Sequence, residues 1–210
     1  MTEADDSERS LGSGSYQASI TKAHFLFHEM RVTASLLSQG SSVAEARARI
    51  LKDNLYQYPT ERSLNDVSGA CCRRLLSMGS SELISAIATA PASVSKQVCL
   101  YAMMKQSRLV YEFMHSVIGE KYRTLNASFS RRDVNAFFER LQEQDAAVAQ
   151  WRPSTLTKVK GVLIRILVEC GYLEDNRAET LNIVTPVPLL EQVMRRRNER
   201  GALAAFNIFS

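Results

Sequence analysis

Residues Trp151 to Thr185 constrain the fold more than any other stretch, because they carry the start, body and stop of a helix and a signal for the segment after it. The turn Trp151-Arg152-Pro153 presets an extended backbone, and a hydroxyl of Ser154 or Thr155 is placed to accept from the open amides of a first helical turn. Leu156, Val159, Val162, Leu163, Ile166, Leu167 and Cys170 recur at three- and four-residue steps, the apolar stripe of one helix. Arg152, Lys158, Lys160 and Arg165 fall outside that stripe. Gly171 supplies the left-handed residue that stops such a helix. Tyr172-Leu173 and Leu181 to Thr185 are short β-capable runs around a polar turn, and they predict a short β-hairpin. Helix, glycine and hairpin in that order predict a winged-helix-like domain, a form of helix-turn-helix that lays a helix in the DNA major groove.

An amphipathic helix with a few exposed cations is also the ordinary solvated surface helix, and the pattern alone fits both. Two features favour the groove. Ser154, Thr155 and Thr157 follow Pro153 at a helix N-terminus, where backbone amides and the helix dipole attract phosphate. The exposed charges of this helix are mainly positive.

The rest of the chain reads as helices, with no convincing strand before residue 151. Thr21 can cap a helix that reaches Gln39 and stops at Gly40; Ser42 and Glu45 form a capping box for a second. Ser63 with Asp66 predicts a third, Ser80 or Ser81 a fourth closed by Pro91, and a long apolar pattern predicts a fifth from about Ser93 to Ile118. Gly119 to Ser128 breaks the pattern, and Ser130 with Asp133 starts another helix whose Phe137 and Phe138 would wall the core behind the Ser154 helix. After Pro186 and Pro188 a last helix runs from Leu189 to about Arg200, and an apolar tail, Leu203 to Phe209, is free to dock on a neighbour. The expected organisation is mainly α: a disordered acidic leader over 1–15, a helical bundle over 16–125 and the winged-helix-like domain over 126–210.

The net charge of +4 understates the basicity of the body, because the leader holds Glu3, Asp5, Asp6 and Glu8 against a single Arg9. A moderately basic body suits an anionic partner and also plain solubility. In the C-terminal part Arg195, Arg196, Arg197 and Arg200 outnumber Glu191 and Glu199. The expected DNA-binding set is therefore Arg152, Ser154, Thr155, Thr157, Lys158, Lys160 and Arg165 with those four arginines. In the bundle Arg47, Arg49, Lys52, Arg73, Arg74, Lys96, Lys105 and Arg108 are the ordinary solvent-facing charges of helices, or else a second basic surface.

Other functions find little support. No uncharged run approaches the roughly 20 residues of a spanning helix, and the polar N-terminus lacks the apolar core of a secretion signal. Cys71-Cys72 suits neither a chelating pair nor a simple bridge, and Cys99 and Cys170 fall on apolar faces, so all four read as reduced core thiols of a cytoplasmic protein. His24 and His28 stand one helical turn apart, but the zinc-protease glutamate positions hold Phe25 and Phe27 and no third ligand is spaced for a metal. Gly12-Ser13-Gly14-Ser15 follows no strand and precedes no Gly-Lys, so it is no phosphate loop. No catalytic motif and no cofactor fingerprint is present, and a non-enzymatic protein is expected.

The ordered series Tyr16-Gln17-Ala18-Ser19-Ile20-Thr21-Lys22, Glu29, Asp53-Asn54-Leu55, Arg73-Arg74-Leu75, Lys96-Gln97, Phe113, Ser154-x-x-Thr157-Lys158 and Leu167-x-Glu-x-Gly-Tyr-Leu173 resembles the BrxA family of BREX bacteriophage-exclusion systems, over about residues 16 to 190. The resemblance implies an all-α protein of two parts, the N-terminal one similar to NusB-type folds. It also implies double-stranded DNA binding and a place beside other BREX proteins in phage restriction and host methylation. Two alternatives stay open: an adaptor that holds other BREX components, and an RNA-binding NusB-like regulator.

Overall fold

Hydroxyl caps set five of the helix starts in the computed structural model, which describes residues 14 to 209. The leader over 1–15 thus lies outside the described residues, apart from Gly14 and Ser15. Ser42 opens α2 (Val43–Asp53) with the expected reciprocal box: its hydroxyl accepts from Glu45 N at 3.2 Å, and the Glu45 carboxylate accepts from Ser42 N at 2.8 Å. Thr60, not Ser63, caps α3 (Glu61–Ser77), and Ser80 caps α4 (Ser81–Thr89). The first helix starts later than Thr21 predicts. Thr21 closes a 3-10 turn, Ala18–Thr21, with its hydroxyl donating to Ala18 O at 2.8 Å, and Leu26 takes a left-handed backbone (φ 56°) before α1 (Phe27–Ser38).

The long fifth helix is two. α5 (Ala92–Gln106) ends, and the Ser107 hydroxyl accepts from Val110 N to open α6 (Arg108–Phe113), which runs on through a π-helical segment, Met114–Gly119, into α7 (Glu120–Arg123). The apolar pattern passes unbroken through this cap because both sides are buried. The chain divides here into two compact units: one spans Phe25–Gln106, the other combines the residues through His24 with those from Ser107 onward. The sequence places this change near residue 125 instead.

In the Phe25–Gln106 unit α1 packs on α4 and α3, α3 on α2 and α5, and α4 on α5. Arg74 is inside, 3% exposed, with Nη1 donating to Phe25 O at 3.2 Å, and so is no part of a surface. Burial holds its guanidinium below the usual arginine range and pushes the Cys71 and Cys99 thiols beside it up to about 12. All four cysteines of the chain are buried and none is in a disulfide, as the sequence suggests.

In the other unit Ser130 and Asp133 form their capping box at the head of α8 (Arg131–Gln144), which α9 (Ala146–Ala149) follows. Burial alone would raise the Asp133 carboxyl, but bonds from Lys121 (2.9 Å) and the Ser130 amide (2.6 Å) hold it below the usual carboxylate range. α10 (Pro153–Glu169) stops at Cys170, and Gly171 (φ 79°) supplies the left-handed turn. No two-stranded ribbon comes after it. Tyr172 and Leu181 are buried, Asn182 N donates to Tyr172 O, and the residues around Thr180 pair instead with the segment before α8: Phe129 N to Glu179 O at 2.9 Å, Leu181 N to Ala127 O at 2.7 Å. Among the described residues this is a single isolated bridge and no sheet.

The last helix is also split, into α11 (Pro188–Arg196) and α12 (Arg200–Ala205). α12 packs on the π-helical segment so closely that a methyl at Gly119 would stand 3.1 Å from Ala204 Cβ. The tail expected to seek a neighbour is buried in its own chain: Leu203, Phe206 and Ile208 are core, and Ala205 O accepts from the buried Tyr172 hydroxyl at 2.9 Å. No described helix is long and apolar enough to cross a membrane.

Candidate nucleic-acid interface

α10 presents one narrow stripe to solvent. The exposed Ser154, Lys158 and Arg165, with half-buried Gly161 between the last two, follow each other at steps of four, three and four, with Thr157 beside them, while Val159, Val162, Leu163, Ile164, Ile166 and Leu167 are buried. Arg152, Lys158 and Arg165 are exposed and engage no carboxylate among the described residues. Their charge is therefore offered outward rather than spent inside the fold.

The start of α10 differs from the expected cap. Arg152 is the N-cap residue, its own side chain makes no cap bond, and its carbonyl accepts from Thr155 N at 2.9 Å and Leu156 N at 3.1 Å. Neither Ser154 nor Thr155 caps the helix. Ser154 is exposed, Thr155 half-buried, and the Thr157 hydroxyl donates back to Pro153 O at 3.0 Å. The helix thus opens without a side-chain acceptor, which leaves its positive end toward solvent.

Lys160 leaves the stripe. Its ammonium donates to Asn135 Oδ1 at 2.9 Å and lies 5.5 Å from the Phe138 ring centre, so it ties α10 to α8. Phe137 and Phe138 are buried, Phe138 beneath the Lys160 ammonium of α10, and Phe137 meets Phe113 edge-on at 5.3 Å. The C-terminal arginines sit on different elements: Arg195 bonds Glu191 at 2.8 Å within α11, Arg196 and Arg197 are likewise engaged, and Arg200 Nε reaches Asn198 Oδ1 at 3.4 Å. They are a partly neutralised group, unlike Arg152, Lys158 and Arg165.

Arg131, Arg132 and Lys22 are further exposed cations of this unit. Arg131 and Arg132 head α8, both exposed, and Arg131 reaches Asn176 O at 3.3 Å in the loop after α10. Their signal in the sequence is a basic pair directly after a cap serine. Lys22 is exposed beside the Ala18–Thr21 turn, which packs on α10; only the fold relates residue 22 to residue 158. Of the basic residues read in the bundle, Arg49, Lys52 and Arg73 are exposed, and Arg47, Lys96 and Lys105 half-buried, Lys96 with its ammonium 5.4 Å from the Phe27 ring. Arg108 belongs to the other unit, stacked 4.1 Å from the Tyr16 ring centre and bonded to Gly14 O.

The architecture is that of a mainly helical protein in two units, one of which presents a basic helix. The family model for BrxA matches residues 14 to 198. A curated BREX protein BrxA from Bacillus cereus (strain H3081.97) is 34% identical over 77% of this chain and 80% of its own length; another, from Paramagnetospirillum magneticum (strain ATCC 700264 / AMB-1), is 25% identical over 92% and 96%. The crystal structure of an uncharacterized protein from Magnetospirillum magneticum superposes with a TM-score of 0.77 at 25% identity, covering 92% of this chain and 98% of that one. The chain belongs to the BrxA family.

Proposed function

We propose that the chain is a non-enzymatic double-stranded-DNA-binding component of a BREX phage-exclusion system, acting in the cytoplasm with other BREX proteins and presenting α10 to the duplex. One observation carries the reading: the exposed stripe of α10 holds Arg152, Lys158 and Arg165 without carboxylate partners among the described residues, around an uncapped helix start. Phosphates would meet the amides near Ser154 and these three cations, which position the protein on the duplex. The order of extended segment, α8, α10 and extended segment, joined by the bonds of Phe129, Leu181 and Asn182, supports a winged helix reduced to its smallest set of pairings. The family supports the phage-defence role and, with the helical Phe25–Gln106 unit, the NusB-like reading.

Gly161 supports the same face. It lies mid-helix where a methyl group would meet nothing within 4 Å, so the gap serves no internal packing. Glycine there forgoes about 1 kcal/mol of helix stability relative to alanine, and a bare backbone lets a ligand come close. Gly161→Ala is expected to raise the thermal midpoint while lowering duplex affinity. Thermal unfolding and duplex titration of the same preparation check this, and a rise in both would exclude close approach at Gly161.

The test of the reading is an electrophoretic shift of duplex DNA by the isolated chain at physiological salt, with single-stranded RNA as competitor. A shift that RNA fails to displace is expected. No shift would favour an adaptor, for which Leu125 (93% exposed) and Ile183 (79% exposed), lining one surface pocket with Tyr122 and Leu181, are the apolar docking surface.

A further inference from the structure

Arg47 on α2 and Arg73 on α3 converge on one bare patch of helix in the Phe25–Gln106 unit. A methyl group at Gly69 would stand 3.2 Å from Arg73 Nη1 and 3.7 Å from Arg47 Nη2, so both guanidinium groups reach over the same backbone. Neither meets a carboxylate among the described residues. The hydrogen bond of Arg47 goes to a neutral acceptor, Asn65 Oδ1, at 2.8 Å; Arg73 has no ion pair among the described residues, and Asp66, one turn before Gly69, pairs with neither. Arg47 Nε is enclosed and meets no acceptor. Burial pushes the nearby Cys72 thiol up, so it stays neutral and supplies no counter-charge.

Two like charges held together cost free energy, and an anion with several acceptor oxygens between the outer guanidinium N–H groups offsets that cost. We infer that Arg47, Arg73 and Asn65 form a site over Gly69 for a phosphate oxyanion. Guanidinium forks bind phosphate through paired N–H donors, and the absent side chain at Gly69 lets both forks lie close together over the helix. Exposed Lys52 and Arg62 on the same two helices add to the field around it. The phosphate is either free in solution or part of a nucleic-acid backbone; the site stands independently of α10.

The test follows the Arg Nε–H resonances of the intact, isotope-labelled chain during titration with inorganic phosphate, with chloride at equal ionic strength as control, and then with a short duplex. The Arg47 Nε–H resonance is expected to move with phosphate and saturate. Arg73→Gln should raise the phosphate midpoint roughly tenfold or more, and Arg49→Gln should leave it in place. The same movement with duplex assigns the site to a nucleic-acid backbone, and movement with phosphate alone assigns it to free phosphate. No saturable movement with either ligand, an equal response to chloride, or an unchanged midpoint in Arg73→Gln would overturn the site.

Discussion

Replacing Arg152, Lys158 and Arg165 together by alanine is expected to weaken duplex DNA binding roughly 100-fold, from about 1 kcal/mol for each charged group removed. The dependence of log affinity on log salt should flatten by about 0.9 for each phosphate the variant no longer neutralises. The fold should barely notice, since all three side chains are exposed and none is in an ion pair among the described residues, and such surface changes stay within about 0.5 kcal/mol. Titrations of a labelled duplex at several salt concentrations, beside a thermal melt of each variant, provide the check. Affinity and slope that both stay in place would remove α10 from the interface. Lys160→Ala is the internal contrast: it breaks the tie to Asn135 and Phe138, so its main effect should be on stability.

Phe206→Ala carries the largest expected cost to the fold, about 3–5 kcal/mol for truncating a fully buried aromatic ring. Phe206 follows α12, which packs on the π-helical segment, while Ala205 O accepts from Tyr172, so the loss should reach both. Urea unfolding checks it: a midpoint far below wild type is expected. A midpoint near wild type would mean that the tail is not part of its own core and is available to a partner.

What the sequence makes legible is mostly what lies within one turn of the backbone. Ser42 with Glu45, Ser130 with Asp133, and Gly171 each act on amides or dihedrals a few residues away, so their residue types suffice to place α2, α8 and the stop of α10. The apolar stripe of α10 is readable for the same reason, and with it the outward direction of Lys158 and Arg165.

What escapes is decided at long range. Ser107 interrupts a pattern that stays apolar on both sides, so periodicity cannot see the helix end. Leu181 is β-capable, but its partner is Ala127 rather than the neighbouring Tyr172-Leu173 run, and no local rule selects between them. Arg74 and Arg73 are adjacent and chemically identical; one turns into the core beside Cys71 and Cys99, the other stays outside, according to the face of α3 each falls on. Lys160 reads as a free cation two residues from Lys158, yet at roughly 100° per residue it points to α8.

Acetylation of lysines in the intact chain, with and without saturating duplex, tests most directly whether α10 is the face that meets DNA. Lys158 is exposed with no partner among the described residues, so it should react readily in the protein alone and lose most of that reactivity once duplex is bound. Lys158 as reactive in the complex as in the protein alone would show that DNA is held by another surface.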